Sequence, residues 1–72
     1  MHLNMIIDTL RERREMLRVT QNTLAELSGV GLRTLKQFEC GKGNPTLQTL
    51  QKLADALGME VCLKLKKMGA NP

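Results

Sequence analysis

The sequence has no tryptophan, no tyrosine and a single phenylalanine, Phe38, so any core it builds is aliphatic, made of Leu, Ile, Val and Met. Its one histidine, His2, stands at the chain start, away from any partner for acid–base or metal chemistry. The two cysteines, Cys40 and Cys62, form no Cys-x-x-Cys pair and have no second cluster, which excludes the usual zinc frameworks. They are expected as free thiols in a reducing cytosol. No stretch approaches the ~20 apolar residues of a membrane helix. The start Met1-His2-Leu3-Asn4 lacks the cationic segment of a signal peptide, so a cytoplasmic location is expected. Gly41-Lys42-Gly43 is too short for a phosphate-binding loop and follows a helix rather than preceding one. Asp8 and Glu12, spaced i,i+4, are neutralised by neighbouring arginines and read as surface charge. With no nucleophile–base pair and no metal cluster, neither an enzyme nor a cofactor is expected.

What is there is a chain of 72 residues with a net charge of +4. That length is one domain. A domain so small buries only about 60% of the surface its unfolded chain exposes, and oligomerisation is a natural source of further burial. The basic excess suits a polyanionic partner.

Leu3, Ile6, Ile7, Leu10, Arg14 and Leu17 recur at helical spacing and predict a first helix over about 4–18. Thr20 is an N-cap for a second helix over 21–28, with Leu24, Ala25 and Leu27 inward and Gly29 as its stop. A third helix runs from Gly31 or Leu32 to about Cys40, pointing Leu35 and Phe38 inward. Gly41-Lys42-Gly43-Asn44-Pro45 breaks it. Thr46 caps a fourth helix over 47–57 with the stripe Leu47, Leu50, Leu53, Ala54 and Leu57, ended by Gly58.

Two short helices joined by a turn of about three residues around Gly29 are the outline of a helix-turn-helix. The turn holds the second helix at a steep angle, so that it projects into a DNA major groove while the first crosses the backbone. Leu24, Ala25, Val30, Leu35 and Phe38 would lock the pair. The outer face of the third helix then supplies the readers: Leu32, Arg33, Lys36 and Gln37, with Thr34 beside them. Arg33 suits a bidentate contact to guanine, Gln37 adenine or a phosphate, and Leu32 a thymine methyl group. Lys36 also suits a phosphate. Gln21 and Asn22 at the start of the second helix, together with Thr34 and Lys42, are the expected phosphate contacts. On charge alone these groups would be an ordinary solvated helix face; the turn chemistry around them favours the interface.

The run Thr20-Gln21-Asn22-Thr23-Leu24-Ala25 through Gly29-Val30, then Thr34 to Lys42 with Glu39-Cys40-Gly41-Lys42, resembles the xenobiotic-response-element family that includes the lambdoid phage repressors and Cro. Pro45-Thr46-Leu47-Gln48-Thr49-Leu50 through Leu57-Gly58 continues the likeness, which covers residues from about 4 to 58. The resemblance implies an all-α, lambda-repressor-like four-helix domain of bacterial or phage type, double-stranded DNA as partner and a nucleoid-associated location. It implies that Gln21 touches phosphate and that Leu32, Arg33, Lys36 and Gln37 face the groove. It also implies a partly buried ion pair between Arg14 and Glu39. Cys40 departs from the family pattern, where a polar residue near phosphate is common, and the usual fifth helix is missing.

After Gly58 the period changes. Met59, Val61, Leu63 and Leu65 alternate with Glu60, Cys62, Lys64 and Lys66, predicting a strand over 59–67 before a loose tail at 68–72. A lone strand cannot satisfy its backbone groups, so it is expected to pair with the same strand of a second molecule. Met59, Val61, Leu63 and Leu65 are the expected homodimer interface, and a frayed tail is the alternative. A two-fold dimer implies a near-palindromic operator. A C-terminal strand in place of a fifth helix also resembles the HipB-type antitoxins. That likeness implies an autoregulating antitoxin of a toxin–antitoxin operon, with a HipA-like kinase toxin as partner. The alternatives are a toxin-neutralising interaction module whose DNA binding is secondary, and a phage or mobile-element repressor with no toxin.

Overall fold

The computed structural model describes residues 3–63. Four helices follow one another: α1 (Leu3–Met16), α2 (Gln21–Ser28), α3 (Leu32–Glu39) and α4 (Leu47–Ala56). Two of them start with the same device. Thr20 Oγ1 accepts the N–H of Thr23 at 3.1 Å, and Thr46 Oγ1 accepts that of Thr49 at 3.1 Å. Each cap satisfies a donor that the helix itself cannot, at a gain of about 1 kcal/mol.

The ends share a motif as well. At Arg18, Gly41 and Gly58 the chain turns left-handed, with φ of 57°, 78° and 73°. At each, two backbone bonds close the helix, for example Arg18 N–H to Glu15 O and Val19 N–H to Arg14 O. α2 ends more simply, at Gly29 (φ 76°), whose N–H bonds Ala25 O. Arg18 explains why α1 stops at Met16, short of the expected 18. A left-handed arginine costs about 1–2 kcal/mol, a cost that the paired closing bonds offset.

The core is aliphatic apart from Phe38: Ile7 and Leu10 of α1, Leu24 of α2, Val30 of the turn, Leu35 of α3, and Leu53, Ala54 and Leu57 at α4. Leu35 and Leu53 are completely buried. Arg13 Nε donates to Leu57 O at 3.0 Å, tying α1 to the end of α4.

Three expected inward residues face out: Leu17, just past the end of α1, is 44% exposed, Leu27 63% and Leu47 60%. Successive helical residues turn by about 100°. The buried arc of α2 runs through Leu24 and Ala25 and takes in Gln21 and Ser28, which leaves Leu27 well to one side. Leu47 is the first residue of α4, displaced from the line of Leu53 and Leu57.

The C-terminal strand is not found. No strand occurs among the described residues, and Met59–Leu63 carry no ladder. Met59 N–H instead bonds Ala54 O at 2.8 Å in the closing motif of α4, and its side chain packs against the core. A strand needs a second strand for its N–H and C=O groups, and this single chain offers none among those residues. Met59 is therefore drawn into its own fold rather than presented as interface. Val61 is 39% exposed and Leu63 96%. Leu65, the rest of the expected strand and the expected tail lie outside the described residues.

Candidate nucleic-acid interface

α3 has two unlike faces. Leu35, Phe38 and Glu39 are buried against the other helices. Arg33, Thr34, Lys36 and Gln37 are exposed, and Leu32 is half-buried. Arg33 and Gln37 lie one turn apart on the same row, opposite the buried side, flanked by Lys36 and Thr34. All five expected readers and neighbours thus sit on the outward part of one helix. Thr34, Gln37 and Lys42 further share a recess between α3 and the loop that carries Asn44 and Pro45. Unlike α2 and α4, α3 starts at Gly31 with no side-chain cap, so its first N–H groups are not covered by a threonine hydroxyl.

The helix is held by a buried carboxylate. Glu39 Oε2 accepts from Arg14 Nε at 2.7 Å, and Oε1 accepts from Arg14 Nη2 at 2.9 Å, a bidentate pair between α1 and α3. Arg14 Nη1 donates to Val19 O at 2.8 Å, so the same guanidinium also fixes the turn into α2. Gln21 Nε2 donates to Glu39 Oε1 at 2.9 Å, bringing in α2. Arg11 Nη1 reaches the backbone carbonyl of Glu39 at 3.4 Å. The Arg14 and Glu39 side chains are 13% and 6% exposed, and no buried side-chain polar atom among the described residues lacks a partner. Hydrogen bonding to Glu39 raises the Arg14 pKa, helped by the attraction of the Glu39 charge and opposed by burial. The Arg14–Glu39 pair is present in the geometry that the family likeness implied.

Gln21 sits differently from its expected part. One of its amide hydrogens is committed to Glu39, so it is first a link between α2 and α3, with its second hydrogen remaining for another acceptor. Asn22, the next residue, is exposed. Cys40 is exposed at the end of α3 and Cys62 is exposed beyond α4. The Arg11 and Gln21 contacts were not foreseen from the sequence. The available signal was a glutamate that must be buried on a helix face with Leu35 and Phe38, whose carboxylate needs more partners than one arginine supplies.

Among the described residues no group of three or more His, Cys, Asp or Glu side chains is placed to hold a metal. No helix among them is long and apolar enough to cross a membrane. The arrangement offers an exposed, cation-bearing helix edge backed by the hydrogen-bonded Glu39 carboxylate, the kind of surface that a DNA groove can accept.

A helix-turn-helix family model matches residues 10–63. The chain is also similar to the cryptic phage CTXphi transcriptional repressor RstR of Vibrio cholerae serotype O1, 36% identical over 56 residues that make up 78% of this chain and 50% of that protein. The chain thus spans half the length of the curated relative it matches. The capped α2, the left-handed Gly29 and the outward edge of α3 lie inside both matched stretches, and the chain belongs to the helix-turn-helix family of the xenobiotic-response-element type.

Proposed function

We propose that the protein is a sequence-specific transcriptional repressor that binds a near-palindromic operator as a homodimer. The observation that carries this reading is the exposed row of α3, Arg33 and Gln37 flanked by Leu32, Lys36 and Thr34, backed by the buried Glu39 hub. Arg33 pairs with guanine O6 and N7, Gln37 with adenine, and Leu32 covers a thymine methyl group. Asn22, Lys42, Thr34 and the free amide hydrogen of Gln21 take phosphates, which set the register of the helix on the duplex. The dimer reading rests on the alternating apolar residues Val61, Leu63 and Leu65 and on the exposure of Val61 and Leu63. The protein then acts in the cytoplasm, beside the DNA it reads.

Two genetic settings fit this chemistry. Similarity to a phage repressor favours a phage or mobile-element repressor. The alternation of apolar and polar residues after α4 instead supports an autoregulating antitoxin with a kinase-like toxin as second partner. An adjacent gene for such a kinase, and its co-purification with this protein, supports the antitoxin setting; a neighbourhood of phage genes without one supports the other.

The test of the main reading is selection of bound sites from random duplexes, alongside light scattering at micromolar concentration. The expected result is an enriched inverted repeat with half-sites about one helical turn apart and a particle of twice the chain mass. Affinity should fall steeply with salt as phosphate contacts release counterions. No enriched sequence even in low salt overturns the reading. A monomer on a single half-site removes the dimer from it.

A further inference from the structure

We infer that Glu39 is a positioning residue for DNA binding: its buried carboxylate, locked by Arg14, turns the amide of Gln21 so that one hydrogen is presented to a phosphate of the duplex. The inference rests on the DNA reading above and adds what aims that contact.

Gln21 is held at both ends by one ion pair. Arg14 Nη1 donates to Val19 O at 2.8 Å, which fixes the backbone two residues before Gln21. Glu39 Oε1 accepts from Gln21 Nε2 at 2.9 Å, which fixes the tip of its side chain. The carboxylate cannot follow a moving glutamine, because Arg14 Nε and Nη2 hold its two oxygens at 2.7 and 2.9 Å. Among the four expected phosphate contacts Gln21 is alone in this. No side-chain hydrogen bond or ion pair among the described residues involves Asn22, Thr34 or Lys42.

The chemistry of the acceptor decides which way round the amide stands. A carboxylate paired with a guanidinium carries no hydrogen, so only the N–H end of the amide can meet it. The reversed amide would set a carbonyl oxygen against Glu39, two acceptors with no hydrogen between them. Nε2 carries two hydrogens and Glu39 takes one. No other described residue accepts the second, and Gln21 is half-buried rather than enclosed. That hydrogen is therefore open to an oxygen of a ligand. A freely turning glutamine would offer a phosphate its carbonyl oxygen as readily as its N–H. Fixing the amide beforehand removes that alternative, and with it the entropy lost in ordering the side chain on binding. Asn22, Thr34 and Lys42 have to be ordered as the duplex arrives.

Methylphosphonate scanning of the selected operator reads this aim directly. Each phosphate in turn is made neutral. Gln21→Met, which keeps the length of the side chain without its donor, marks the phosphate that Gln21 touches, and Lys42→Met marks another. The parent should lose about tenfold in affinity at each. The double variant Arg14→Met with Glu39→Met replaces the buried pair by apolar groups of similar length, an exchange that cores often tolerate. It should be indifferent at the Gln21 phosphate and keep the parent's tenfold loss at the Lys42 phosphate. A double variant still sensitive at the Gln21 phosphate overturns the positioning and leaves the operator reading standing. So does one that loses sensitivity at both phosphates alike, as a merely structural role of the pair would have it. A scan in which Gln21→Met is as sensitive as the parent at every phosphate overturns it as well. A parent with no operator preference overturns the DNA reading itself. Hydrogen exchange of the Gln21 side chain in the parent gives a reading that needs no substitution. One amide hydrogen should exchange slowly in the free protein, and the second should slow only with the operator bound. Two hydrogens that exchange alike in the free protein overturn the inference.

Discussion

The two sides of α3 are built from the same eight residues and do opposite work. The inward side spends Leu35, Phe38 and Glu39 on contacts with α1 and α2, so that every polar group there has a partner and every apolar group a neighbour. The outward side spends Arg33, Lys36 and Gln37 on nothing within the described protein: no hydrogen bond or ion pair among the described residues uses their side chains. A short helix cannot hold its own position in water. If the outward row reads DNA as proposed, it does so from a position that the inward row fixes. Substitutions on the two sides should therefore separate stability from DNA recognition.

The largest effect is expected at Leu35, which is completely buried. Leu35→Ala should lower unfolding free energy by about 3–5 kcal/mol, from lost transfer energy plus the cavity left behind; urea unfolding checks it. Glu39→Ala comes next, at about 3 kcal/mol, because it strands the Arg14 guanidinium with its buried partner gone. The pH behaviour has a definite sign. Arg14 is raised in the folded state, so its share of the stability is fully present below the ordinary arginine pKa and is lost only above it. Urea midpoints of the parent should accordingly show no loss of this bridge on the alkaline side of neutrality. On the outward side, Arg33→Ala should leave the melt unchanged and cost about 1–3 kcal/mol of operator binding, with specificity relaxed at one base pair. Equal loss on selected and random duplexes would instead make Arg33 a phosphate contact. The smallest effect belongs to Leu27, an exposed apolar residue: Leu27→Ala should move stability by no more than about 0.5 kcal/mol, and a larger shift would mean that its face is covered in solution.

Much of this was legible in the chain. Thr20, Thr46, Gly29 and Gly58 mark helix ends through local chemistry that acts within a few residues, and those four boundaries fall where that chemistry puts them. The inward and outward rows of α3 follow from periodicity alone. What was not legible depends on longer range or on an unusual residue. Arg18 takes a conformation that glycine signals, so the helix pattern through Leu17 concealed the end of α1. Arg13 to Leu57 O and Arg11 to Glu39 O join side chains to distant carbonyls, which leave no periodic trace. Gln21 has the position of a phosphate contact, yet its amide is shared with a carboxylate from α3. Alternation after Gly58 reads as a strand, but the closing turn of α4 claims Met59 first, and the pattern says nothing about which molecule supplies the other strand.

The most direct test joins both sides of α3 in one experiment: Arg33→Ala together with Gln37→Ala, followed by thermal melting and by competition between the selected operator and random duplex. The variant should melt with the parent and no longer distinguish the two DNAs. A variant that still prefers the operator as strongly as the parent would contradict the assignment of that edge as the reader of the sequence.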